Sequence, residues 1–470
     1  MADRSIPDLD VLARAARDAI AYRQNVAGAE RTRTAPHAQM LEAFAGPTPE
    51  TGEEAGTIID DLVARATPGI RPMTGPRFFG WVIGGSHPTG VAADWLTAAW
   101  GQNAGNLIAA PAASAVEAVA AGWVLDLLGL PSSASVGMVT GATVANFVCL
   151  AAARSEVLRR AGWDVEADGL FGAPPVSVLI GADAHATVFS ALKYLGLGAR
   201  RVRTVATDGA GRIDAADFAR ALGETVGPVI AIAQAGQINT GACDPFPDIV
   251  PLARERGAWL HVDGAFGLWA QVSPALAHLT AGVDGADSWA TDGHKWLQTP
   301  YDCGYAIVRD AEAHRRAMAI SASYLPPAEN AERDPSAYVM ELSRRARGFA
   351  TWAMIRQFGR TGLADRVERC CAIARGMAGA LRAEPGLKVI GPLELNQFMV
   401  RFGADVPAGE GDRLTLATIA RVQEEGVAFM GPAQWRGAWV MRVSVSSMET
   451  TEADGDESVA SVLRVWRAVR

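Results

Sequence analysis

Cysteine is sparse in this 470-residue chain: five are present, Cys149, Cys243, Cys303, Cys370 and Cys371. None has the paired spacing of a zinc site or a disulfide framework, so the expected setting is a reducing cytoplasm. Long hydrophobic runs are lacking too. Residues 109–121 are alanine-rich but interrupted by Ser114 and Glu117, and too short to cross a bilayer. The first twenty residues carry Asp8 and Asp10 where an export signal would have an unbroken apolar block. Nor is there an excess of positive charge. The 43 Lys and Arg against 51 Asp and Glu give a net charge of -8, without the basic footprint of a nucleic-acid binder. No internal repeat or low-complexity block stands out. What is present is a globular balance, 49% hydrophobic and 20% charged, in a chain long enough for a large α/β unit and a smaller appendage.

Ile6, Leu9, Leu12, Ala16 and Ile20 recur at spacings of three and four, which predicts an amphipathic helix. A stretch rich in Gly, Pro, Thr and Glu over 46–56 reads as a linker before a second helical pattern through Ile58, Ile59, Leu62 and Val63. Residues 1–85 are therefore expected to form a helical arm. From Ser114, the text SAVE fits a capping box with Glu117 at the third helical position, and Gly129 and Pro131 stop that helix. Short apolar runs at 176–180, 229–233, 259–262, 289–291 and 305–308 then alternate with helical stretches. That pattern predicts a mostly parallel sheet with helices on its faces, an α/β domain over 86–355. Past Arg344 the chain turns helical, and strands at 398–402 and 440–445 predict a smaller α+β domain over 356–470.

Four segments carry chemistry. In TDGHKWL, Lys295 follows a predicted strand end among small and apolar residues, and an interior lysine there is a candidate Schiff-base nucleophile. In AWLHVDGAFG, His261 and Asp263 share one strand face, with Asp263 at the carboxyl end where open parallel sheets collect ligands. Asp263 is either the partner of a protonated pyridine nitrogen or the cap of the next turn. In VTGATVANF, the Thr140–Gly141–Ala142–Thr143 turn opens onto a helix whose free amides suit a phosphate, or are simply capped. In DAHATVFSALKYLG, His185 stands at a helix start, where it either stacks on a flat ring or caps the helix.

Taken together and in this order, TGATVAN, DAHATVFSALKYLG, HVDGAFG and ADSWATDGHKWL resemble the group II decarboxylases dependent on pyridoxal 5'-phosphate (PLP). This is the family of aromatic-amino-acid, glutamate and histidine decarboxylases. GPRFFGWVIGG, AVEAVAAGWVLDLLGLP and SRRARGFATWAMIRQFGRTGL extend the similarity from about Arg71 to near the carboxyl end. The resemblance implies the PLP-dependent transferase fold type I, with a mostly parallel seven-stranded-type sheet and a smaller C-terminal domain. It further implies decarboxylation of an L-amino acid to the amine and carbon dioxide through a Lys295 aldimine, and a homodimer with sites at the subunit interface. Carried over by position, Asp263 pairs with the pyridine nitrogen, His185 stacks over the ring and Ala265 lies against its other face. Ala142, Thr143, Ser288 and His294 surround the phosphate, and Gln234 stands where relatives often have a threonine near the cofactor.

Two positions depart from the family pattern. Asp292 stands where many relatives have an asparagine that donates to the phosphate, and an ionised carboxylate cannot donate. In the loop before SRRARG, Pro335 occupies the offset of the tyrosine that protonates the carbanion, leaving Tyr338 and Tyr324 as candidate acids. Without such an acid the outcome becomes that of a carbon-carbon lyase or an oxidative, aldehyde-forming enzyme. A reading from another class makes His185, His261, Asp263 and His294 the metal ligands of a hydrolase. For the substrate, Phe78, Phe79, Trp81 and Trp100 line an aromatic pocket or belong to the core. Arg344, Arg345, Arg347 and Arg442 are candidate carboxylate receptors.

Overall fold

The computed structural model describes residues 9–29, 34–320 and 333–470. Its central sheet is built from strands with almost no polar face. Ile230 and Ile232 of one strand enter one hydrophobic cluster, and Ala231 and Ala233 enter another on the opposite side. A strand apolar on both faces must be covered on both. The seven strands are β1 (Ser135–Val139), β2 (Ser177–Gly181), β3 (Val202–Val205), β4 (Val229–Gln234), β5 (Trp259–Asp263), β6 (Ser288–Asp292) and β7 (Gly304–Val308). They lie in the order β1-β7-β6-β5-β4-β2-β3. Only β7 runs against the others, antiparallel to both β1 and β6. The carboxyl ends of β1, β2, β4, β5 and β6 therefore open on the same edge.

The second sheet is antiparallel and consists of β8 (Leu387–Ile390), β9 (Gln397–Phe402), β10 (Gly431–Trp435) and β11 (Ala438–Ser444), in the order β10-β11-β9-β8. Phe398, Val400, Phe402, Met441 and Val443 from its inner face pack with Ala374, Met377 and Leu381 of the helix Gly348–Arg382, and with Val462 and Trp466 of the last helix. Each fully buried side chain of this kind contributes roughly 1.5–3 kcal/mol relative to exposure.

All seven predicted strands are present. The sequence reading missed β1, β3, β8 and β10. β3 and β8 are short and only partly buried, and β10 alternates with Pro432 and Gln434 facing out, so none has a continuous apolar run. The amino-terminal helix spans Asp10–Ala29. The capping box at Ser114 does not form. Pro111 opens that helix, Pro111–Leu127, because its fixed φ and missing N–H suit the first position, so Ser114 and Glu117 lie inside it. Gly129, at φ +61°, follows its end as expected.

Candidate active site

Lys295 is one of three lysines in the chain, and the other two, Lys193 and Lys388, are exposed. Lys295 sits in the turn after β6, largely enclosed, with Nζ 3.0 Å from Oδ2 of Asp292. A glycine-rich segment crowds its backbone: a Cβ on Gly84 would overlap the Lys295 carbonyl. The neighbouring Gly304 and Gly141 are pressed together in the same way. Only residues without side chains allow β7, the β1 turn and the segment 80–85 to close around this lysine.

At the carboxyl end of β5, Asp263 is buried, and its Oδ1 accepts the Ala265 amide at 3.3 Å. Burial raises its carboxyl above the ordinary value, opposed by the charges of His185 and Lys295. A carboxylate in such a position gains from a cationic N–H partner. His185 precedes the helix Ala186–Tyr194, where Nδ1 accepts the Thr187 amide at 3.4 Å and pairs with the Thr187 hydroxyl at 2.7 Å. That leaves the proton of the neutral ring on Nε2. Burial holds the imidazole below its ordinary value; Asp263 acts in the opposite sense, and Lys295 and Arg442 reinforce the lowering. His185 thus caps its helix, within reach of the charges of Asp263 and Lys295.

Gln234 lies with His185, Asp244 and Asp263 around one small recess, its Nε2 donating to the Gly211 carbonyl at 3.3 Å. Beneath it, Asp244 accepts the amides of Ile213 and Gln234 at 2.8 and 2.7 Å, and burial pushes its carboxyl up to about 7. The helix Ala142–Arg160 begins at Gly141, which has no side chain to cap it. The Ala142 amide instead donates to Asp292 Oδ1 at 2.6 Å. His294 closes the same corner, its Nε2 3.5 Å from Asp292 Oδ1 and its ring stacked on Tyr301 at 4.3 Å. Thr143 follows Ala142 in the first turn and is exposed, and Ala265 sends its carbonyl to the Asp292 amide at 3.1 Å.

Three expectations change. Ser288 does not join the phosphate corner: it begins β6, roughly 13 Å along the strand from Asp292. Its hydroxyl is taken by Trp259 Nε1 and His261 Nδ1, each at 2.9 Å. Tyr338 lies edge-on to His314 at 5.2 Å with Arg333 over its ring, and His314 bonds Ser135 at the amino end of β1. Within its own chain Tyr338 is therefore at the other end of the sheet from Lys295. Tyr324 falls outside the described residues. Arg344, Arg345 and Arg347 are committed to Glu117, Asp94 and Asp302 at 2.8, 2.7 and 2.9 Å, so they are not free to receive a substrate. Arg442 on β11 is different. Mostly buried, with its pKa lowered to about 10 by burial alone, it has no ion pair among the described residues.

The metal reading finds no support in the geometry. His261 spends Nε2 on Asn146 Oδ1 at 2.9 Å, and no group of three candidate ligands converges among the described residues. The aromatic residues do not form one pocket either. Phe78 stacks on Phe429 at 4.7 Å with Trp81 alongside, Phe79 is in the C-terminal core, and Trp100 meets Phe349. Gly84, Asp244 and Tyr301 were missed as parts of the site. Only the Gly84–Gly85 pair left a local signal.

The fit to PLP rests on this donor set: an enclosed amine, a buried carboxylate, an imidazole under the influence of both and a helix amino terminus. The family model described as the pyridoxal-dependent decarboxylase conserved domain matches residues 37–402. The chain belongs to this family. It is a PLP-dependent carboxy-lyase of amino acids. Among its relatives, 4-hydroxyphenylacetaldehyde synthase of Rhodiola rosea is 26% identical, covering 90% of this chain and 86% of that protein. Aromatic-L-amino-acid decarboxylase of Bacillus atrophaeus is also 26% identical, over 86% and 84%. The decarboxylase fold is that of the Oryza sativa TDC crystallised with PLP and tryptamine, which superposes with a TM-score of 0.89 at 22% identity, covering 98% and 99% of the two chains.

Proposed function

We propose that the enzyme converts an aromatic L-amino acid to its amine, with Lys295 as the residue that would hold the cofactor. The observation that carries this reading is the convergence of Lys295 after β6, Asp263 at the end of β5 and His185 after β2 on the carboxyl-end edge of the sheet, where the charges of Asp263 and Lys295 both act on His185. Bound there, PLP supplies a ring that takes up the electrons released when the bond from the α-carbon to the carboxylate breaks. Asp263 holds a proton on the ring nitrogen, because its buried charge is stabilised by a cationic N–H. His185 keeps Nδ1 on Thr187 and presents a neutral ring face, with its Nε2 proton directed away from that hydroxyl. Ala142, Thr143 and His294 hold the phosphate, Ala265 backs the ring and Gln234 orients the recess beside His185. Arg442 receives a substrate carboxylate, since an enclosed guanidinium without a partner favours an anion. The aromatic side chain is supported by the printed names of the relatives, tryptophan, tyrosine and aromatic-L-amino-acid decarboxylases.

Borohydride treatment of the purified enzyme is expected to abolish its visible cofactor band and leave a reduced adduct on the Lys295 peptide by mass spectrometry. Lys295→Ala is expected to lose the band and at least 1,000-fold in kcat, on the order of the barrier terms assigned to covalent catalysis. A surviving band in the variant would sink the assignment.

A second reading is favoured by one observation, the position of Tyr338 against His314 and Arg333. With Tyr338 not delivered to Lys295 by its own chain, the product becomes an aldehyde, with dioxygen and water consumed and carbon dioxide, ammonia and hydrogen peroxide released. Measuring amine, aldehyde and peroxide from phenylalanine, tyrosine and tryptophan separates the two.

We further propose a cytoplasmic homodimer. The helix Pro88–Trp100 exposes Trp95, Leu96 and Trp100 together at 42%, 50% and 51%, an apolar face that suits a second copy. We also propose an arm over 1–85, a large domain over 86–355 and a small one over 356–470; the break at Gly359 in the helix Gly348–Arg382 supports the last boundary alone.

A further inference from the structure

The corner expected to take the cofactor's phosphate contains a carboxylate. Asp292 is buried at the end of β6, and its two oxygens reach both groups that an incoming phosphate would meet first. Oδ1 takes the Ala142 amide at the helix terminus at 2.6 Å, and Oδ2 is 3.0 Å from Lys295 Nζ. The backbone locks it there: its amide donates to the Ala265 carbonyl at 3.1 Å, and its carbonyl accepts Trp269 Nε1 at 3.0 Å. A Cβ on Gly141 would come within 3.3 Å of the same oxygen and 3.0 Å of the His294 ring, so this corner leaves no room for a side chain there.

The charges facing Asp292 do not balance a second anion. From its own turn come Lys295 and His294. Attached to the cofactor, Lys295 would supply no more than the single charge of a protonated imine, and burial keeps His294 below its ordinary basicity. Across β7 and its preceding loop stand Tyr305 and Tyr301, neutral phenols whose ionisation Asp292 itself opposes. From β5 comes another carboxyl, Asp263, and from the helix Ala186–Tyr194 comes His185. Among the described residues facing it, the other positive group is the amino terminus of the helix Ala142–Arg160, equivalent to about half a charge. A phosphate dianion beside an ionised carboxylate exceeds that, and two like anions in one enclosed site do not both stay ionised.

We propose that Asp292 and the phosphate of the bound cofactor share one proton, making Asp292 a cofactor-positioning residue whose grip on PLP weakens as pH rises. The inference rests on the PLP reading of the site and goes beyond it. The shared proton lies between a carboxylate oxygen and a phosphate oxygen, one acting as donor and the other as acceptor. An asparagine at this position would donate N–H to a dianion and need no such proton.

The test uses holoenzyme of the natural chain and of Asp292→Asn, diluted into phosphate-free buffer at pH 6.5, 7.5 and 8.5, with PLP release followed by loss of the visible cofactor band. The natural enzyme is expected to release PLP at least fivefold faster at pH 8.5 than at 6.5. Asp292→Asn is expected to release it at least tenfold more slowly at pH 8.5, with less than a twofold change over the range. Phosphorus NMR of the two holoenzymes supplies a second readout: the bound phosphate signal moves with pH in the natural enzyme and not in the variant. Natural enzyme whose release rate is flat with pH, or a variant with the same rates and the same pH dependence, would overturn the proposal. The first of these measurements needs no variant and so stands even where Asp292→Asn fails to fold. Absence of any visible band in the natural enzyme would instead count against PLP itself.

Discussion

Residues of one type serve opposite purposes here according to their surroundings. His185 and His294 lie at the carboxyl-end edge of the sheet, whereas His261, midway along β5, is structural, bonded to Ser288 and Asn146 on either side. Burial lowers its pKa to about 3, and that of His314 likewise to about 3. A histidine whose folded value lies below its unfolded one, near 6.5, adds stability that is present above about pH 6.5. That stability is lost as pH falls toward 3. Acidification from pH 7 to 5 should therefore lower the urea midpoint of the natural enzyme. In His261→Gln, which keeps both hydrogen bonds without a titrating ring, the fall should be smaller by on the order of 1 kcal/mol per pH unit. Identical pH slopes would exclude His261 as a contributor. Lys295, by contrast, was identifiable from sequence because an interior lysine at a strand end is rare. The fate of Ser288 was not, since four residues along a strand look adjacent in the text and lie far apart in space.

At the scale of elements, helix ends show how a local signal is won or lost. The text from Ser114 looks like a cap and forms none, whereas Thr451 does form one. Its hydroxyl accepts the Asp454 amide, and the Asp454 side chain returns the bond to the Thr451 amide. Ser114 was overtaken by Pro111, and its hydroxyl finds no partner. Thr451→Ala is expected to cost about 1 kcal/mol in chemical denaturation, while Ser114→Ala is expected to stay within about 0.5 kcal/mol. Glu117, read as part of that cap, instead forms the buried ion pair with Arg344, 227 residues away in the chain. The strands that carry Asp263, Asp292 and Gln234 were legible because burial on both faces leaves an unbroken apolar run. Edge strand β3, intermediate or exposed over most of its length, left no such trace.

For the whole molecule, the exposed apolar face of the helix Pro88–Trp100 and the outward ring of Tyr301, stacked on His294, put the proposed subunit contact beside the site. Sedimentation should show two chains of 49.3 kDa per particle. Trp95→Glu with Leu96→Glu should shift the particle toward single chains and lower the activity with it, because a charge buried in an apolar contact is unpaired. A dimer unchanged by both substitutions would place the contact elsewhere.

The order of the four segments, the lysine, the aspartate at a strand end and the small-residue turn were all determined by the sequence itself, because each depends on chemistry within a few residues of its neighbours. Which groups meet was decided only by the tertiary structure. The closeness of Asp292 to Ala142, of Gly84 to Lys295 and of Tyr338 to His314 depends on how strands distant in sequence are ordered in the sheet, and local pattern carries no record of that order.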